Sequence, residues 1–219
     1  MATWKNGTAK PRSTSLRHGK KKDELKIVVL GGEGVGKTTL ISQFLGGEFL
    51  EKYKGTFETI YSCQLKDKGM RYSLDIVDIT KGDSVPSLRQ MAIEDGEAFI
   101  LMYSVVDKDS FEQLYKLRDL ILELKGEQKV PIFIVANKLD MDAERKTPIW
   151  QVADAVATID WEHRYMELST SDKEQVDSLF RQLIRQAHTI YKDKFSQPPR
   201  RMTFPMSLLT SIKKKMSTK

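Results

Sequence analysis

The chemistry of this chain starts at Gly31-Gly32-Glu33-Gly34-Val35-Gly36-Lys37-Thr38, which fits the pattern Gly, four residues, Gly-Lys-Thr. Glycines let a loop curl until several backbone N–H groups point inward at an oxyanion. A helix starting near Lys37 adds its positive N-terminal end. The Lys37 ammonium suits β- and γ-phosphates, and the Thr38 hydroxyl suits Mg²⁺. The expected phosphate contacts are therefore Gly31, Gly34, Val35, Gly36, Lys37, Thr38 and Thr39. A glycine-rich turn with an incidental lysine is the bland alternative. The flanks argue against it, because Ile27-Val28-Val29-Leu30 reads as a strand and 39–45 as the start of a helix.

Three further groups carry chemistry. Asn137-Lys138-Leu139-Asp140 follows the apolar run 131–135. A carboxylate only accepts hydrogen bonds, so Asp140 can take both the N1–H and the 2-amino group of guanine. Adenine offers no such donor pair. The Lys138 stem can lie along a base plane while Asn137 ties loops together. Asp78 ends the run Leu74-Asp75-Ile76-Val77, where a carboxylate facing the phosphate loop would hold Mg²⁺, directly or through water. Thr56 offers a further hydroxyl, so the expected metal ligands are Thr38, Thr56 and Asp78. Ser169 and Thr170 close the last strand candidate and can back a guanine. The set implies GTP or GDP with Mg²⁺.

These side chains need a sheet that brings distant loops to one edge. Strand candidates fall at 25–30, 59–65, 72–78, 98–104, 131–136 and 165–168. Helical patterns fall at 37–46, 86–94, 109–124, 148–158 and 173–191. In the last, Val176, Leu179, Phe180, Leu183, Ile184, Ala187 and Ile190 recur at helical spacing, as in a helix laid on a sheet. Phe99-Ile100-Leu101-Met102-Tyr103 is apolar throughout, as in a strand covered on both faces. The order predicts an α/β, doubly wound fold with a six-stranded, mostly parallel sheet and about five helices. Ligands of such folds sit beyond the carboxyl ends of the strands.

The 219 residues suit one domain with tails, and the net charge of +6 hides their division. Residues 1–22 carry +7 and residues 192–219 carry +7, which leaves −8 for 23–191. The expected organisation is a disordered basic tail (1–22), a globular domain (23–191) and a basic C-terminal tail (192–219). No apolar run reaches transmembrane length, and the first residues do not resemble a secretory signal. The single cysteine, Cys63, cannot form an internal disulfide and reads as a core residue. An intracellular, cytoplasmic location is expected. Ala2 in place of glycine argues against myristoylation, and the end Lys215-Met216-Ser217-Thr218-Lys219 against prenylation.

Together the motifs resemble the Ras-type small GTPases over about 24–191, with the family spacing kept from Lys37 to Asp140. Within that group the chain is similar to Rerg and the Ras-like proteins around it, with some likeness to the Rhes/Dexras group. The resemblance implies that Phe49 packs on the guanine and that Thr56 is the threonine of the first switch. It makes Asp78 the acid that opens the second. It also implies effector and regulator proteins that meet the segments near 51–60 and 78–90, and a monomeric chain.

The chain departs from the family pattern where hydrolysis is concerned. The second switch, usually Asp-x-x-Gly-Gln, reads Asp78-Ile79-Thr80-Lys81-Gly82. Lys81 takes the place of the glycine whose N–H meets the γ-phosphate. Gly82 takes that of the glutamine that orients attacking water, and glycine has no side chain for the task. Glu33 stands where Ras has glycine; it either crowds the γ-phosphate or turns to solvent. Ser171 replaces the usual lysine of the last guanine motif. The expectation is nucleotide binding with very slow or absent hydrolysis, and no catalytic residue is assigned. The alternative is a non-catalytic interaction module with a permanently held nucleotide.

In the C-terminal tail, Leu208, Leu209, Ile212 and Met216 can share one helical face beside Lys213, Lys214 and Lys215. Such a segment suits an anionic membrane, a calmodulin-like groove or an import factor, so peripheral-membrane and nuclear locations are also expected. A solvated tail is the alternative. Nucleic acid is not expected as a partner, because the globule is acidic and the tails lack interleaved aromatics.

Overall fold

A computed structural model describes residues 24–46, 58–79, 86–126, 128–144 and 153–195. Both tails beyond 24–195, the segment holding Phe49 and Thr56, the one holding Lys81 and Gly82, and the first part of the helix expected at 148–158 lie outside these residues.

Six strands form one sheet: β1 (Glu24–Gly31), β2 (Glu58–Asp67), β3 (Met70–Ile79), β4 (Ala98–Ser104), β5 (Ile132–Asn137) and β6 (Arg164–Glu167). Their spatial order is β2-β3-β1-β4-β5-β6. The β2–β3 hairpin is antiparallel and every other pairing is parallel. The described helices are α1 (Lys37–Leu45), α2 (Pro86–Asp95), α3 (Lys108–Lys125), α4 (Lys173–Ile190) and a single turn, α5 (Lys192–Phe195). A helical stretch also covers 153–160, its second half (Val156–Asp160) wound more widely.

The strand pleat explains the two-faced core. Along β1, Leu25, Ile27 and Val29 turn to one side, where Leu40, Ile41 and Phe44 of α1 meet Val176, Leu179, Phe180 and Leu183 of α4. Val28 and Leu30 turn to the other, against Ala92 and Ile93 of α2 and Phe111, Leu114 and Ile121 of α3. Strands covered on both faces run apolar along their length, and every residue of β4 and of β5 is buried, with polar Ser104 and Asn137 only at their carboxyl ends. Phe44 and Phe180 stack with centroids 3.7 Å apart, fixing α1 on α4. Cys63 is half-buried at the margin of this core. Its thiol is pushed up to about 12, chiefly by burial and then by Asp75, so it stays a neutral packing group.

The parallel strands point their carboxyl ends the same way. The loops after β1, β5 and β6 and the last residues of β3 therefore gather at one edge, the edge an open α/β sheet uses for ligands. Among the described residues no helix is long and apolar enough to cross a membrane.

Candidate functional site

The loop after β1 curls because two of its glycines do what no other residue could. Gly31 (φ +147°) and Gly36 (φ +102°) have backbone conformations unfavourable to L side chains. A Cβ on Gly31 would lie 2.2 Å from the Met102 carbonyl oxygen, and one on Gly36 would lie 2.3 Å from Asn137 Nδ2. The curl ends at α1, whose N-cap is Gly36 with no side-chain cap and no acid in its first turn. By contrast, Asp107 caps α3 and Asp172 caps α4, each accepting two backbone N–H groups. The start of α1 thus keeps its orphan donors and positive end for an anion.

Lys37 is buried, and its ammonium donates to the carbonyls of Gly31 at 2.9 Å and Gly32 at 2.6 Å. The lysine expected to reach phosphate is thus held across the mouth of its own loop. Thr38 Oγ1 donates to Asp78 Oδ2 at 2.6 Å, bringing two of the three expected metal ligands together. Asp78 is buried at the end of β3, and its Oδ1 has no partner among the described residues. Burial raises this carboxyl above its ordinary value, with the Thr38 bond and the Lys37 charge pulling it back. No three His, Cys, Asp or Glu side chains converge as metal ligands among the described residues. A cation here would therefore draw on the hydroxyl, the carboxylate and phosphate oxygens. An all-oxygen set with an orphaned carboxylate oxygen fits Mg²⁺. Thr38 and Asp78 would hold it, and the ion when bound would neutralise phosphate charge.

Asn137, buried at the end of β5, bridges two loops. Its Nδ2 donates to the Val35 carbonyl at 2.7 Å, and its Oδ1 accepts from the Thr170 N–H at 3.0 Å. Lys138 follows in a left-handed conformation (φ +71°), rare for a residue with a side chain. That strain turns the chain so that Asp140 stands exposed opposite Ser169, whose hydroxyl donates to Asp140 Oδ1 at 2.6 Å. Val35 is buried under the loop, Gly34 is exposed on its rim at φ +72°, and Thr39 is half-buried in the first turn of α1. Glu33 is exposed on the same rim. The structure therefore gathers phosphate-loop, Mg²⁺ and guanine candidates at one edge.

Two positioning residues carried no sequence signal. Gln43 of α1 donates through Nε2 to the Ser171 carbonyl at 3.1 Å, and Gln175 Oε1 of α4 accepts from the Ser169 N–H at 3.1 Å. Both read as ordinary polar positions of amphipathic helices.

The Ras family model matches residues 26–189, three-quarters of the chain and the whole of the sheet but its first two residues. The chain belongs to the Ras family. Ras-family proteins are small GTP-binding proteins built on this phosphate-loop fold, and they generally bind guanine nucleotides with Mg²⁺. The Asn137 bridge and Asp140 stand at and just after the end of β5, at the same edge as the phosphate-loop residues.

Proposed function

We propose that this Ras-family chain holds GTP or GDP with Mg²⁺, hydrolyses GTP very slowly or not at all, and acts in intracellular signalling. The observation that carries the reading is a contrast. Lys37, Thr38, Asp78, Asn137, Asp140, Ser169 and Thr170 stand together at one edge. Yet Gly82 occupies the place of the water-orienting glutamine and Lys81 that of the switch glycine. The ligands for holding nucleotide are kept, and the group for cleaving it is missing. Thr56 and Phe49 complete the proposed set as an Mg²⁺ ligand and a guanine platform. The segments Ser169-Thr170-Ser171 and Pro86-Ser87-Leu88-Arg89 support a divergent branch near Rerg.

Effectors and regulators would meet the segments near 51–60 and 78–90. The acidic domain of 23–191 is flanked by basic tails, and the C-terminal one offers an electrostatic hold on anionic membrane of about 1 kcal/mol per basic residue near the surface.

Identification of the nucleotide released from purified protein, followed by single-turnover hydrolysis of bound GTP, tests the reading. Guanine nucleotide with a rate well below about 10⁻⁴ s⁻¹, the scale of unassisted Ras, supports it. A rate at or above that value would overturn the slow-hydrolysis claim, and adenine nucleotide would overturn the ligand. Because Lys81 replaces the γ-phosphate-sensing glycine, a second reading is a module with one nucleotide kept permanently. Exchange of labelled GDP distinguishes the two, since a switch exchanges and a fixed module does not.

A further inference from the structure

Ser169 Oγ donates to Asp140 Oδ1 at 2.6 Å and lies 2.7 Å from Ser171 Oγ. A serine hydroxyl has one proton to donate and can accept two bonds, whereas a carboxylate can only accept. The proton of Ser169 is therefore committed to Asp140, and Ser171 must be the donor between the two hydroxyls. The Ser171 N–H is directed at the same Ser169 oxygen at 3.3 Å. Ser169 Oγ thus donates once and accepts twice, which is its full capacity. Gln175 holds the Ser169 N–H and Gln43 holds the Ser171 carbonyl, so the backbone of the pair is fixed from α4 and from α1. Bonds running in one direction, from Ser171 to Ser169 to Asp140, polarise and strengthen each other.

We propose that Ser171 is a positioning residue for guanine selection: its hydroxyl, acting through Ser169, orients the Asp140 carboxylate toward the N1–H and 2-amino group of the base. This rests on the nucleotide-binding reading above. Where the family usually has a lysine, this chain has a short hydroxyl that feeds the neighbouring serine instead. Fixing Asp140 matters twice for guanine, which offers it two donors, and once for hypoxanthine, which lacks the 2-amino group. Loss of the relay should therefore be felt more by GDP than by inosine diphosphate.

The test measures the affinities of the full chain for GDP and inosine diphosphate in wild type, S171A, S171T, S169A and the double variant S169A/S171A. Ser171 is exposed, and a thermal melt of each variant confirms folding. S171A is expected to lower the preference for GDP over inosine diphosphate by about two- to tenfold, the scale of one neutral hydrogen bond. S171T should retain the preference, and S171A should add nothing on the S169A background. An unchanged preference in S171A, or equal weakening of both nucleotides, would overturn the inference. Wild-type protein that binds neither nucleotide would overturn the functional reading instead.

Discussion

Asn137 Nδ2 donates to the carbonyl oxygen of Val35 at 2.7 Å, joining the end of β5 to the middle of the phosphate loop across 102 residues of sequence. With its oxygen on the Thr170 N–H, this one side chain sets the spacing between the phosphate end and the base end of the site. Asn137→Ala strands a buried carbonyl and an N–H together. At about 1–3 kcal/mol for each group left unsatisfied, the nucleotide-free protein should lose roughly 2–6 kcal/mol, toward the lower end because the Thr170 N–H is only part-buried. Urea unfolding without nucleotide measures this. A loss below about 0.5 kcal/mol, the level of an ordinary surface substitution, would show that the bridge does not hold the loops.

Asp78 should behave in the opposite sense. Its carboxylate is buried, one oxygen is unpartnered among the described residues, and its pKa is raised chiefly by burial. A carboxyl with a raised folded pKa makes the ionised form a cost to the metal-free fold near neutrality, and that cost is relieved as the pH falls. Asp78→Asn should therefore leave the metal-free melting temperature unchanged or higher while removing the dependence of nucleotide retention on Mg²⁺. Melts and nucleotide release, each with and without chelator, give both readouts. A variant that is less stable but still sensitive to chelator would contradict the assignment.

The fold was legible where burial on both faces leaves no choice of residue. The run 98–104 contains only residues a doubly covered strand tolerates, and β4 occupies those positions. β6 was harder, because Arg164 and Glu167 are exposed while Tyr165 and Met166 are half-buried, so its apolar content is slight. Around 153–160 the β-branched Val156, Thr158 and Ile159 interrupt helical propensity, and the second half of the stretch is wound wide. In the site, Lys37, Asp78, Asn137 and Asp140 were legible because the chemistry admits few substitutes. Gln43 and Gln175 were not. Their roles come from where α1 and α4 dock, and a glutamine on an exposed helical face looks the same whether it bonds water or a distant carbonyl.

His163 supplies a pH signature remote from the nucleotide site. Its Nε2 is buried without a partner, and burial, followed by the nearby Arg118 charge, pushes its pKa down to about 4. An unfolded histidine titrates near 6.5, so between about 6.5 and 4 the unfolded chain binds the proton that the folded one refuses. The contribution of His163 to stability is complete above that window and declines as the pH falls through it. His163→Gln should flatten the loss of stability between pH 7 and 4.5, measured by urea unfolding at both values. Parallel losses in the two proteins would place the proton elsewhere.

The weak hydrolysis proposed here should trace to the second switch more than to the phosphate loop. Glu33 is exposed on the rim beside Gly34, so its charge acts through water. A unit charge at 4 Å in water is worth about 1 kcal/mol, which limits the gain from Glu33→Gly to about fivefold in rate. Gly82 removes a water-orienting group altogether, and misplacing a reactant by about 1 Å can cost on the order of a hundredfold. Gly82→Gln should thus raise the single-turnover rate of GTP hydrolysis by about ten- to a hundredfold, and clearly more than Glu33→Gly. If Glu33→Gly gives the larger gain, the carboxylate reaches the γ-phosphate in the loaded protein, and the block lies in the loop itself.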